Sequence, residues 1–152
     1  MISWQRVKGV VIRGARRTSN IDGNSPYGRG TLELQFPLFR ELGLDLSGCF
    51  MGTLDIRINP RTWVMVPTEP TFHGIKWFAG KEEDFFFSKC WLTFAGKTYL
   101  AWLYCASPGK PHYIRGPSLF EVIAEKIPNI GYGDTVMLEI NPEDIRINDP
   151  TT

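Results

Sequence analysis

Residues 85–105 read FFFSKCWLTFAGKTYLAWLYC (Phe85–Cys105), and they decide what kind of protein this is. Two apolar, aromatic-rich runs, Phe85 to Phe94 and Lys97 to Cys105, flank Ala95-Gly96. Such runs around a glycine-bearing pair read as strands joined by a hairpin turn, with Gly96 supplying the permissive backbone. Working outward, the same extended character recurs. Thr53 to Ile58 alternates, with Leu54, Ile56 and Ile58 on one face and Thr53, Asp55 and Arg57 on the other. Thr31 to Phe36 alternates in the same way, with Leu32, Leu34 and Phe36 opposed to Thr31, Glu33 and Gln35. Period two over six residues predicts half-buried strands. Val7–Arg13, Thr62–Val66, Gly74–Phe78 and Thr135–Ile140 complete a set of about eight.

Helical signals are fewer. Pro37 followed by Leu38, Phe39, Glu41, Leu42 and Leu44 predicts a short helix that ends near Gly43. A second is expected over Pro117–Ala124, stopped by Pro128. Many short strands with two short helices predict an all-β fold, a small closed β-barrel with helical decoration. The tail Asn141–Thr152 is polar and expected to fray at its end. The 152 residues fit one domain, residues 1–152.

Composition narrows the functional classes. Hydrophobic residues make up 43% and charged residues 22%, an ordinary globular balance. Seventeen basic against sixteen acidic residues give a net charge of +1, which argues against bulk attraction to nucleic acid or an anionic membrane. Arg13, Arg16, Arg17 and Arg29 with Tyr27 are the residues a nucleic-acid surface would have to use. Cys49, Cys90 and Cys105 form no CxxC and no zinc spacing, so they are expected to be reduced thiols. The segment Met1–Arg17 interrupts every apolar stretch with Arg or Lys, and the longest such stretch, Tyr99–Ala106, falls short of the roughly 18 residues of a membrane helix. The expectation is a soluble cytoplasmic protein.

Three places could carry chemistry. Thr53 and Asp55 leave the same strand face, so a hydroxyl and a carboxylate could share a hard cation such as Mg²⁺; the alternative is a solvated face on which Asp55 pairs with Arg57. The stretch Gly14–Gly30, GARRTSNIDGNSPYGRG, combines four glycines with Arg16, Arg17 and Arg29. Glycines let backbone N–H groups approach phosphates and Arg supplies forked donors, although a surface loop with solvated arginines fits as well. Glu121 sits among apolar neighbours, where a carboxylate could bind a polar ligand ring or act as a base; an ordinary solvent-facing Glu is the alternative. His73 and His112 lack acidic partners at metal spacing, and no serine lies in a GxSxG. Trp63, Trp77, Phe78, Phe85–Phe87, Trp91 and Trp102 are expected mostly in the core, with a few able to line a pocket for a flat heteroaromatic ligand.

The order of segments adds to this. GVVIRG, a short helix ending ELGLD, then GTLDIRIN, FHGIKWF, HYIRGPSLFEVIAEKI and GYGDTVMLEI together resemble the archaeal CTP-dependent riboflavin kinases, from about Val7 to Ile140. That resemblance implies a cradle-loop β-barrel that transfers the terminal phosphate of CTP to riboflavin, giving FMN and CDP. GTLD looks like the family's GTLN, so Thr53 and Asp55 would be the ligands of Mg²⁺ (or Mn²⁺). FEVIAE looks like the family's IEIIAP, so Glu121 would orient the flavin and is the candidate base. The family's glycine loop begins here at Gly14, and Gly14, Arg16 and Arg17 would hold the nucleotide phosphates. Three departures stand out: Asp replaces Asn in GTLN, the loop after Gly14 is longer, and Glu125–Asn129 carries no Leu-Arg pair. A flavin- or nucleotide-binding module without kinase activity, on the same barrel, is the alternative.

Overall fold

The structure, a computed structural model, describes residues 1–12, 27–28, 31–67, 69–78, 81–107 and 118–150. The chain is 54% strand with one helix among the described residues. In order come β1 (Gln5–Ile12), β2 (Tyr27–Gly28), α1 (Thr31–Glu41), β3 (Thr53–Arg57), β4 (Thr62–Met65), β5 (Phe72–Phe78), β6 (Lys81–Phe94), β7 (Lys97–Ser107), β8 (Leu119–Ala124), β9 (Thr135–Ile140) and β10 (Ile145–Asn148). Six of these run β1-β9-β6-β7-β8-β3, and β3 pairs back onto β1 to close an antiparallel barrel. The barrel read from the sequence is there.

Alternation puts one residue of each pair inside. Val7 and Val11, Leu54 and Ile56, Cys90 and Leu92, Ala101 and Leu103, Val122 and Ala124, and Val136 and Leu138 form one buried cluster. Each fully buried Val, Leu or Ile contributes about 1.5–3 kcal/mol. The small two-stranded sheet of β4 and β10 packs Trp63 and Ile145 on this core, with the Trp63 ring stacked on Phe120 at 4.8 Å. The Trp63 indole N–H donates to the Leu119 carbonyl at 2.8 Å. β3 and β9 both run antiparallel to β1, toward its start, and β4 and β10 follow them in the chain.

A second buried cluster lies on the outer face of β6, β7 and β8. Leu32, Phe36 and Phe39 of α1 pack there on Phe85, Tyr104 and Ile123. The turn between β6 and β7 places both Ala95 (φ 51°) and Gly96 (φ 79°) in the left-handed region, the conformation of the expected two-residue hairpin. α1 closes at Gly43 (φ 106°), where Gly43 N–H donates to Arg40 O at 3.1 Å and Leu44 N–H to Phe39 O at 2.9 Å, a Schellman end at the expected glycine.

Three expectations are corrected. Thr31–Phe36 is not a strand but the first half of α1, and Pro37 lies inside the helix on its exposed side rather than in its first turn. Leu32, Phe36 and Phe39 fall at helical spacing and are buried, while Leu34, the middle member of the supposed strand face, is 48% exposed. The stretch Pro117–Ala124 is not a second helix, since Leu119–Ala124 is strand β8. Its inward residues fill the barrel and its outward Ile123 packs under α1, so both faces are apolar and no alternation shows. Within the tail, Ile145–Asn148 forms strand β10, whose Ile145 is fully buried against β4, while residues 151–152 lie outside the described residues. The long stretch Gly14–Gly30 lies outside the described residues, apart from Tyr27–Gly28.

Gly9 on β1 lies close against β3 where the barrel closes. A Cβ there would overlap Ile56 Cγ2 and stand 3.3 Å from the Arg57 carbonyl oxygen. Gly9→Ala is therefore expected to cost about 1–3 kcal/mol through overpacking, read as a lower urea midpoint with an unchanged slope. A neutral effect contradicts this packing.

Candidate functional site

Strand β3 is short but has neighbours on both edges. On one it pairs with β8, and on the other with β1 over Asp55–Arg57 and with β2 over Thr53–Leu54. The register sets Asp55 directly opposite Glu121, and Glu121 in turn directly opposite Tyr104 on β7. Leu54, Val122 and Leu103 fill the interior. Asp55, Glu121 and Tyr104 therefore form one row on the outer face of three adjacent strands, with Thr53 one step along the same face. Directly opposed residues stand about 4.5–5.5 Å apart at Cβ, so the two carboxylates are within reach of a common ligand.

This row is not a solvated strand surface. Thr53 is 2% exposed, Asp55 and Glu121 are half-buried, and Asp55 Oδ1 is sealed from solvent. Tyr104 is buried, and its hydroxyl donates to Oε1 of Gln35, itself buried on α1, at 2.8 Å. Burial pushes the Tyr104 phenol well above its usual range, and the negative charges of Glu121 and Glu83 push it further. Glu83 accepts a hydrogen bond from the Trp77 indole N–H at 2.8 Å. Two carboxylates facing each other repel unless a proton or a cation lies between them.

The described residues that flank most of the glycine- and arginine-rich stretch meet the same edge of β3. The chain leaves this edge at Ile12, opposite Asp55, and rejoins it at Tyr27, opposite Leu54. Gly14, Arg16 and Arg17 fall between these two anchors but lie outside the described residues, as do Arg13, Arg29 and His112. The structure thus brings Thr53, Asp55 and Glu121 together.

Oxygen donors of this kind suit a hard cation. Thr53, Asp55 and Glu121 present a hydroxyl and two carboxylates, the donor set Mg²⁺ takes when waters and phosphates complete its shell. Among the described residues no three His, Cys, Asp or Glu side chains converge as a self-sufficient metal cage. His73 stands apart, 2.8 Å from Oδ1 of the buried Asp84, which also accepts the Gly74 N–H at 2.8 Å. This is a brace on the β5–β6 hairpin. Cys49, Cys90 and Cys105 are free thiols, as expected. No helix among the described residues is long and apolar enough to cross a membrane.

Sequence reasoning missed Tyr104 and Gln35. Tyr104 reads as one more aromatic in an apolar strand, and Gln35 lay on the polar side of the supposed strand over Thr31–Phe36. The alternation of β7, which turns Leu103 inward and Tyr104 outward, was the one available signal.

A titration tests this environment. The neutral phenol of Tyr104 is favoured in the folded state, so its contribution is complete below the unfolded value of 10.0 and is lost as pH rises through the higher folded value. Alkaline pH should therefore destabilise the wild type more steeply than Tyr104→Phe, measured by urea unfolding. A phenolate absorbance titration should show one late-ionising tyrosine that the variant lacks. No family model and no curated protein matches the chain.

Proposed function

We infer that the protein is a phosphotransferase of the CTP-dependent riboflavin kinase type, transferring the terminal phosphate of a nucleoside triphosphate, CTP by resemblance, to riboflavin. The observation that supports this most is the row of Thr53, Asp55 and Glu121 on the outer face of paired strands, with Ile12 and Tyr27 both paired along the same edge of β3. The motifs that resemble the family, GTLD and FEVIAE, come from distant parts of the sequence and lie on paired strands. That juxtaposition is what a shared site requires.

In this reading Thr53 and Asp55 hold Mg²⁺, which neutralises charge on the nucleotide phosphates. Gly14 backbone N–H and the Arg16 and Arg17 guanidinium groups take the phosphate oxygens. Glu121 orients the flavin end of the acceptor and receives the proton of the attacking ribityl hydroxyl. The bond that forms joins that hydroxyl oxygen to the terminal phosphorus; the bond that breaks joins that phosphorus to the bridging oxygen, and CDP leaves. Little covalent chemistry falls to the protein, so the rate depends on positioning and electrostatics. Asp in place of the family's Asn keeps an oxygen ligand and adds a negative charge, which tightens the grip on a divalent ion.

The test is incubation with riboflavin, Mg²⁺ and each of CTP, ATP, GTP and UTP, with flavins separated by chromatography. FMN is expected with CTP. Flavin or nucleotide binding with no FMN from any nucleotide overturns the kinase reading in favour of a binding module. Asp55→Ala is expected to lower turnover by about 100-fold or more while leaving the far-ultraviolet circular dichroism unchanged. Full activity in that variant removes Asp55 from the metal site.

A further inference from the structure

An open pocket of about 560 Å³ lies against the first half of β1, away from the end of that strand that pairs with Asp55. Arg6 and Lys8 alternate with the buried Val7 and Gly9, so both side chains leave the outer face, and both residues are exposed. β3 runs antiparallel to β1 with Val10 across from Arg57, and Ile58 stands beside Gly9. The chain that follows therefore passes back alongside Lys8 and Arg6, and brings Arg61 to the same pocket. The buried Ile58 and the half-buried Met137 add an apolar lining. Lys8 is four residues from Ile12, the partner of Asp55, a distance of roughly 13 Å along the strand.

The chain seats one carboxylate here itself. Asn148 of β10 pairs with Thr62 of β4, so the next residues outward, Asp149 and Arg61, meet. Asp149 Oδ1 stands 2.8 Å from Arg61 Nε, with the Asp149 side chain 73% exposed. An ion pair this open to water is weak and readily exchanged. Among the described residues neither Arg6 nor Lys8 forms an ion pair, although Glu139 stands across from Arg6 on β9. Three cations against one carboxylate give the pocket a net charge of +2. The whole chain carries only +1.

We propose that this pocket binds the phosphate group of a small phosphomonoester whose apolar body rests on Ile58 and Met137. The inference is independent of the phosphotransferase reading. A phosphomonoester carries about −1.5 to −2 charge near neutral pH, which the pocket balances. The Asp149 contact runs through Nε, and the planar guanidinium offers its terminal N–H groups to a second oxyanion. A nucleic-acid backbone needs an extended basic track, whereas these cations converge on one concavity within the roughly 300–1,000 Å³ of small-molecule sites. Asp149 is then a tethered competitor for Arg61.

Full-length protein is titrated by calorimetry with phenyl phosphate, inorganic phosphate and phenol, in EDTA to keep divalent ions from Asp55. Phenyl phosphate is expected to bind at one site, phosphate more weakly and phenol not at all. Replacing both Arg6→Ala and Lys8→Ala should weaken binding about tenfold or more. Asp149→Asn should tighten it about 2–5-fold by removing the competitor, and Asp55→Ala should leave it unchanged. Absence of saturable binding at millimolar phenyl phosphate overturns the proposal, as does full affinity in the Arg6, Lys8 double variant. Should that variant lose its circular dichroism signal, Asp149→Asn decides alone, and an unchanged affinity there overturns the proposal. Binding lost in Asp55→Ala places the ligand at the carboxylate row and overturns it too. Equal affinity for phosphate and phenyl phosphate overturns the contact with Ile58 and Met137. None of these readouts involves FMN, so this proposal and the kinase reading fail separately.

Discussion

The structure depends on the pairing of one five-residue strand on both its edges. β3 closes the barrel against β1 and, through β8, lays Asp55 across from Glu121. The side-chain period of a strand is two, so a slip of one residue would turn Leu54 and Ile56 out of the core and Thr53 and Asp55 into it. The hydrophobic interior therefore sets the register, and the register sets the chemistry on the outer face. Gly9 is the cost of bringing the strands this close, since any side chain there runs into Ile56.

The outer face would be an ordinary barrel surface without α1. The helix covers β6, β7 and β8 with Leu32, Phe36 and Phe39, and the Tyr104–Gln35 hydrogen bond fixes a polar point inside that apolar layer. A buried polar pair adds little net stability but favours the one arrangement in which both groups are satisfied. Here it ties the helix to the row that contains Glu121.

Much of the barrel was legible because alternation shows wherever one strand face is apolar and the other polar. Thr53–Ile58 and Thr135–Ile140 are of this kind, and β3 and β9 fall within them. The hairpin at Ala95-Gly96 was legible from its turn chemistry. The misreadings share a cause: burial that is not on one side. Ile123 packs under α1 while Val122 faces the core, so β8 looked like a helix. Thr31–Phe36 alternates by accident, because Leu32 and Phe36 also fit helical spacing and Leu34 is simply exposed. β10 escaped notice because Ile145–Asn148 lies in a polar, proline-bounded tail. Thr53, Asp55 and Glu121 were each legible as polar residues in or beside apolar runs, but their meeting was not, because cross-strand register depends on pairing far apart in the chain.

The central arrangement is the register that sets the Asp55 carboxyl directly across from that of Glu121. A double-mutant cycle with Asp55→Asn, Glu121→Gln and the double variant, followed by urea unfolding in EDTA and again in Mg²⁺, measures this directly. In EDTA the two neutralisations are expected to be coupled by about 0.2–1 kcal/mol, and Mg²⁺ to stabilise the wild type more than any variant. Strict additivity in EDTA, with no differential effect of Mg²⁺, would contradict it.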